Sequence, residues 1–277
     1  MSEAGSTSLR CAVIGRGEAG GKYAAALVHN GHAVVGFDPG PTETPSGVSR
    51  TATAAEAADG ADVILVLTAA KVSRPVAESV LTALKPGCCY ADFTSSSPST
   101  MREVGELTER AGARFCDVAI LGPVSWHGAK TPLMLAGAGS SLISQLADEW
   151  GAPNETVDGA PGSAMAHKLL RSVLMKGLAG VVTEAVTAGA AAGYEQWIRD
   201  QIAAQLAGDG HAVVDRLLTG TRTHAERRSH EMHDTAQYLA DLGVPSELTQ
   251  ATETALKRIA GEQRSSEHCA IDSTADR

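Results

Sequence analysis

The chain has 277 residues, 43% of them hydrophobic, enough to bury a sizeable core in one large domain or two ordinary ones. Its formal charge of -9 at pH 7 argues against nucleic acid or an anionic membrane surface as the main partner, while leaving room for a local basic pocket that binds a small anion. No run reaches the roughly eighteen consecutive apolar residues of a membrane span. The first residues lack a basic-then-apolar secretory pattern, and the five cysteines form no metal-like array. A cytoplasmic protein with reduced thiols and no metal is expected.

Residues 1–8 are small and polar and are expected to form an unstructured tail. From residue 9 to about 139, short apolar strands alternate with amphipathic, alanine-rich helical stretches, the pattern of a parallel sheet with helices on both faces. Strands are expected at 9–14, 32–38, 62–67, 88–92, 114–118 and 133–136, and helices at 18–29, 73–84, 99–111 and 140–150. Asn30-Gly31 supplies the stop for the first helix. After Gly162 the strand signals vanish. Residues 163–193 read as one long helix, rich enough in Ala, Leu, Val and Met to be largely buried. Further helices are expected at 195–207, 211–218, 223–242 and, after Pro245, 246–259. This gives an α/β domain over 9–160, an all-α domain over 161–260, and a second unstructured tail over 261–277.

Between the first strand and first helix stands Gly15-Arg16-Gly17-Glu18-Ala19-Gly20. Here Gly15 permits a tight turn, Gly17 lets backbone approach a pyrophosphate, Gly20 lets helix pack on strand, and the helix N-terminus favours phosphate charge. A lone glycine triplet is weak evidence, but the flanking strand, helix and second strand make this a dinucleotide site in a Rossmann domain. Asp38 ends the second strand, eighteen residues after Gly20, where a carboxylate accepts from adenosine ribose hydroxyls and repels a 2′-phosphate. That favours NAD over NADP, although Arg16 or Arg50 could restore NADP binding. The competing reading of Asp38 is a turn opener in Asp38-Pro39-Gly40. Thr68, just past the third of the expected strands, is a further candidate cofactor contact.

With this loop, Asp92-Phe-Thr94-Ser95-Ser-Ser-Pro98 and Gly162-Ser-Ala-Met-Ala-His-Lys168-Leu-Leu-Arg-Ser172 in view, most of the ordered chain resembles the β-hydroxyacid dehydrogenase superfamily, which includes 3-hydroxyisobutyrate and 6-phosphogluconate dehydrogenases. The resemblance implies hydroxyls of Thr94 and Ser95 beside nicotinamide and substrate, Lys168 as the catalytic lysine, and a homodimer. The competing readings are a strand followed by a helix cap for the first segment and a surface lysine for Lys168. Proton exchange with an alcohol oxygen during hydride transfer suits a lysine, provided that burial or cationic neighbours such as Arg171 favour its neutral form.

Departures from the family pattern accompany these matches. Ser172 stands where the family often has Asn, and it reaches less far. Leu121-Gly122-Pro123 aligns with a Ser-Gly-Gly loop that holds substrate carboxylate, yet Leu121 carries no donor and Pro123 lacks an N–H. Substrate recognition has therefore diverged, with Gly122 and Ser172 kept as candidate substrate contacts. The 117–124 and 168–177 segments resemble most a branch with a helical C-terminal domain of unknown function.

The segment 221–233 gathers Arg222, His224, Arg227, Arg228, His230 and His233, readable as an anion site, a metal site or a solvated helix face. Trp126-His127 reads as pocket lining or as a packed aromatic. The leading function is an NAD(P)-dependent oxidoreductase that exchanges hydride with a small β-hydroxy acid or related alcohol or carbonyl, decarboxylating where a β-keto acid forms. Imine reduction is an enzymatic variant, and a dinucleotide-binding sensor without turnover is the alternative of another class.

Overall fold

The computed structural model describes residues 8–275, with side chains described as far as residue 265. Residues 1–7 of the expected N-terminal tail lie outside the described residues. The chain divides into two compact units, Met1–Arg171 and Ser172–Arg277.

The first unit runs β1 (Arg10–Ile14), α1 (Glu18–His29), β2 (Ala33–Phe37), β3 (Val48–Arg50), α2 (Ala54–Ala58), β4 (Val63–Val66), α3 (Ser73–Val80), β5 (Cys89–Asp92), α4 (Pro98–Arg110), β6 (Arg114–Ile120), α5 (Val124–His127), β7 (Leu133–Ala136), α6 (Ser140–Trp150) and β8 (Asn154–Thr156). The strands form one sheet in the order β3-β2-β1-β4-β5-β6-β7-β8. All neighbours are parallel except β6 and β7, which pair antiparallel through Asp117 opposite Ala136 and Ile120 opposite Leu133. The mostly parallel sheet matches the expectation from the alternating pattern, and its one antiparallel ladder falls where only α5 and a short 3-10 turn separate the two strands. The edge strands β3 and β8 escape a pattern reading because each has three residues, at least two of them polar.

β4 and β5 are buried along their whole length, as expected of central strands covered on both faces. One apolar layer joins Val13, Leu65 and Val118 to Tyr23 and Leu27 of α1 and to Ile143 and Leu146 of α6. Within it the Tyr23 ring lies 5.1 Å from Phe93 and 5.2 Å from Trp150, centroid to centroid. The opposite layer joins Ile14, Ile64 and Phe115 to α2, α3 and α4, and to Ala164 and Met165. Cys11, Cys88, Cys89 and Cys116 are buried free thiols inside these layers. Cys269 lies outside the residues whose side chains are described.

The remaining helices are α7 (Ser163–Ala191), α8 (Glu195–Leu206), α9 (Gly210–Asp241) and α10 (Glu247–Ala275). The unit boundary falls inside α7, past the expected 160, because Ala164 and Met165 are part of the core beneath the sheet. The two helices expected at 211–218 and 223–242 are continuous as α9, bent at His224, whose φ of -127° and ψ of 24° break the helical run.

Two expectations are overturned here. Segment 261–275 is helical rather than an unstructured tail, since α10 continues along α9. Gln263 Nε2 donates to the Arg222 carbonyl at 2.7 Å, and Arg264 pairs with Glu226 at 3.0 Å. Nor is α7 largely buried. Leu170, Val173 and Leu174 are mostly exposed, with Val173 at 76%. By length and hydropathy alone α7 would cross a bilayer, yet its Glu184 carboxylate accepts from the Leu248 and Thr249 backbone amides, both at 2.9 Å, which ties it to the start of α10.

Candidate dinucleotide and catalytic site

Because β2, β1, β4, β5 and β6 are mutually parallel, the loops after them collect at one edge of the sheet. There stand Asp38 after β2, the Gly15–Gly20 loop after β1, Thr68 after β4, Thr94 and Ser95 after β5, and Gly122 after β6. Strand order reverses between β1 and β4, and such a switch point opens a crevice at the carboxyl ends of the strands.

Gly15 has φ of +90°, and a Cβ on it would lie 2.7 Å from the Leu67 carbonyl oxygen. A Cβ on Gly20 would lie 1.8 Å from the Gly15 carbonyl oxygen, so α1 sits directly against the turn. Gly17, the N-cap of α1, has no heavy atom within 4 Å of its Cβ position and carries no side-chain cap. The free amides of the first turn, with Glu18 and Ala19 as its first residues, therefore face an open approach, which is what a pyrophosphate needs. Thr68 closes the other side of the turn, its Cγ2 2.8 Å from the Gly15 Cβ position and its Oγ1 buried without a partner among the described residues. These features fit a dinucleotide.

Asp38 forms the expected turn. Its Oδ1 accepts from Gly40 N at 2.8 Å and its Oδ2 from Arg16 N at 2.6 Å. One bond to each oxygen leaves lone pairs for a ribose, so the turn role and the ribose role coexist. The Arg16 side chain is buried and donates through Nη1 to Thr44 Oγ1.

On the catalytic side, Lys168 Nζ donates to Ser95 Oγ at 3.0 Å, joining two segments 73 residues apart. Ser95 is exposed, whereas Thr94 is buried with its hydroxyl paired to Ser96 Oγ at 2.7 Å. Of the two hydroxyls expected at the substrate, that of Ser95 is therefore open to solvent and that of Thr94 is engaged inside the chain. Ser172 belongs to the second unit, where its hydroxyl accepts from Lys176 Nζ at 3.1 Å. Gly122 is exposed in the loop after β6. Trp126 is 81% exposed, so it is not a packed aromatic. In the second unit the basic segment is partly engaged in ion pairs, Arg227 with Glu231 and His233 with Glu253.

Sequence reasoning assigned no role to Asp117 or Ser73. Asp117 Oδ2 accepts from Gly162 N at 3.0 Å and Met165 N at 3.1 Å, fixing the start of α7 and with it the stem of Lys168. Burial pushes its carboxyl up to about 6, against the pull of those amides. Its register neighbour Asp92 is also raised by burial, while accepting from Ser73 Oγ at 2.5 Å and Thr94 N at 2.8 Å. The signal available in the sequence was an Asp in each of two otherwise apolar strands, since a buried carboxylate demands donors.

A family profile described as the NAD binding domain of 6-phosphogluconate dehydrogenase matches residues 10–148, half of the chain, and one described as a domain of unknown function (DUF1932) matches 190–259. A probable 3-hydroxyisobutyrate dehydrogenase from Mycobacterium bovis is 34% identical over 137 residues, covering 48% of this chain and 47% of that protein. The chain thus matches about half the length of its curated relatives. Among solved structures, the conserved protein MTH1747, reported as structurally similar to 3-hydroxyacid dehydrogenases, is 25% identical with a TM-score of 0.60, over 91% of this chain and 97% of that one. A Myxococcus stipitatus imine reductase variant in complex with NAD+ has a TM-score of 0.78 at 17% identity, over 92% of this chain and 95% of that one, a likeness of fold alone. Strand order, glycine loop and matched domains agree, and the chain belongs to the β-hydroxyacid dehydrogenase superfamily, in the branch with a helical C-terminal domain.

Proposed function

We propose that the chain is an NAD(P)-dependent oxidoreductase that interconverts a small β-hydroxy acid, or a related alcohol, with its carbonyl, using Lys168 as general acid and base. The observation that carries this reading is the 3.0 Å contact between Lys168 Nζ and Ser95 Oγ at the sheet edge that also bears the glycine loop. A nicotinamide held by the glycine loop would supply the acceptor or donor of the hydride at the carbinol carbon. The residues then handle the proton. In oxidation the hydroxyl proton passes to a neutral Lys168 as the C–O double bond forms, and in reduction the ammonium gives it back to the oxygen. Ser95, already hydrogen-bonded to Lys168, orients the same oxygen. The Leu121-Gly122-Pro123 loop offers fewer donors than a carboxylate-binding loop, which supports a substrate anchored elsewhere or less acidic than a simple hydroxy acid.

Once a substrate is identified from a panel of hydroxy acids, sugar acids and carbonyl compounds, Lys168→Ala is expected to lower kcat by about 10² to 10⁴ with dinucleotide affinity nearly unchanged. Lys168→Arg is expected not to rescue, since guanidinium stays protonated. Near-normal turnover of Lys168→Ala would remove the mechanism, and loss of dinucleotide binding together with turnover would make the lysine structural. A wild-type protein that binds dinucleotide but turns over none of the panel would favour the sensor reading.

The same reading includes a homodimer. The exposed Leu170, Val173 and Leu174 of α7 form an apolar patch that a second copy would cover.

A further inference from the structure

Beyond that reading, and resting on its dinucleotide site, we propose that Arg16, with Thr42 and Thr44, forms the subsite for the 2′-phosphate of NADP(H), so that the chain prefers the phosphorylated dinucleotide. Arg16 is only 3% exposed. Its Nη1 donates to Thr44 Oγ1, but its Nε and Nη2 are buried with no partner, and it makes no ion pair among the described residues. A buried guanidinium with neither a carboxylate nor full hydrogen bonding is costly, and an anion supplied by a ligand removes that cost. Thr42 Oγ1, in the same loop, is likewise buried and unpartnered.

The fold has made a slot for this side chain. A Cβ on Gly36 of β2 would lie 2.6 Å from Arg16 Cδ, so the strand carries glycine where the arginine crosses it. The slot leads toward the loop after β2, where the adenosine ribose of a dinucleotide rests in this fold. Arg50 adds a second cation, its Nη2 donating to the Asp38 and Gly40 carbonyls at 3.1 and 3.0 Å. Glu43, between the two threonines, is exposed and ion-paired to neither arginine. Asp38 opposes a 2′-phosphate by charge, and because one of its oxygens accepts from the Arg16 amide, the carboxylate and the arginine stand at the same turn. The arginine side chain, with two free donor atoms suited to a phosphate, reverses the NAD preference expected from Asp38 alone.

Calorimetric titration with two adenosine fragments tests this without turnover. Wild-type protein is expected to bind 2′,5′-ADP at least ~10-fold more tightly than 5′-ADP. Arg16→Ala should bring the two to within about twofold by weakening 2′,5′-ADP only, Arg16→Lys should restore part of the gap, and Thr42→Val should narrow it. If Arg16→Ala does not fold, the wild-type ratio and the Thr42→Val result decide. Equal or tighter binding of 5′-ADP by the wild type would overturn the proposal and return the ribose to Asp38. An equal loss of both fragments in folded Arg16→Ala would also overturn it, making the arginine a general support. Binding of neither fragment would instead remove the dinucleotide site and the oxidoreductase reading with it.

Discussion

At the scale of single residues, two positions show how little freedom the site has. The Cβ of Gly20→Ala would fall 1.8 Å from the Gly15 carbonyl oxygen, so α1 or the turn must move. Overpacking of this kind costs about 1–3 kcal/mol, and the displaced amides should also lose their ligand. Gly20→Ala is therefore expected to show a lower melting temperature and no detectable 5′-ADP binding in the same titration. Asp117 contributes a pH dependence of definite sign. Its carboxyl rises from 3.8 to about 6 on folding, chiefly through burial. Between those values the folded chain holds more protons than the unfolded one, so stability falls as pH rises from about 4 to about 6 and the penalty is complete above that. The size is roughly 3 kcal/mol at 1.36 kcal/mol per unit. Urea unfolding of wild type against Asp117→Asn should show the wild type losing that much relative to the variant between pH 4 and pH 7. Parallel profiles would mean that Asp117 titrates as an ordinary carboxylate.

At the scale of elements, the helices begin where the chain satisfies their first amides. Ser97 caps α4 by accepting from Thr100 N at 3.1 Å, with Pro98 as the first helical residue. The start of α10 has a cap from another helix. Glu184 of α7 accepts from Leu248 N and Thr249 N at 2.9 Å and from Thr249 Oγ1 at 2.6 Å. Beside it Gly180 leaves room for the Leu248 side chain, whose Cδ1 lies 2.7 Å from the glycine's Cβ position. Glu184→Ala should destabilise the helical unit by about 1.5–3 kcal/mol, the range for hydrogen bonds to a charged acceptor. Chemical denaturation followed by circular dichroism would read it. An unchanged midpoint would mean that water replaces the carboxylate without loss.

At the scale of the whole molecule, the exposed face of α7 governs the assembly expected of it. Light scattering at micromolar concentration should report a dimer, and Val173→Glu, which places a charge where the chain is 76% exposed, should shift it toward monomer. A wild-type monomer at that concentration would remove the proposed pairing. The same substitution should leave 5′-ADP binding intact, because Val173 is no part of the glycine loop or of the turn at Asp38.

The sequence by itself determined the order of the longer strands and helices and the dinucleotide loop, through local signals: apolar period, glycine placement and the spacing from Gly15 to Gly20. Lys168 was singled out only by the resemblance of its segment to a known family. The sequence also identified α7 as one long helix, because composition and periodicity act within a segment. Only tertiary structure decided the rest. Edge strands β3 and β8 exist because a neighbouring strand pairs with them, and three residues carry too little pattern to announce that. The antiparallel turn at β7, the cap of Asp117 on α7 and the helical course of 261–275 along α9 each depend on groups distant in sequence. The same holds for Arg16. Its place in the glycine motif was legible, but its burial over Gly36 and its unpartnered donors were not, because they arise where the loop after β1 meets the end of β2. Which face of α7 is covered follows from what the chain packs against it, and no pattern of residues along one helix contains that information.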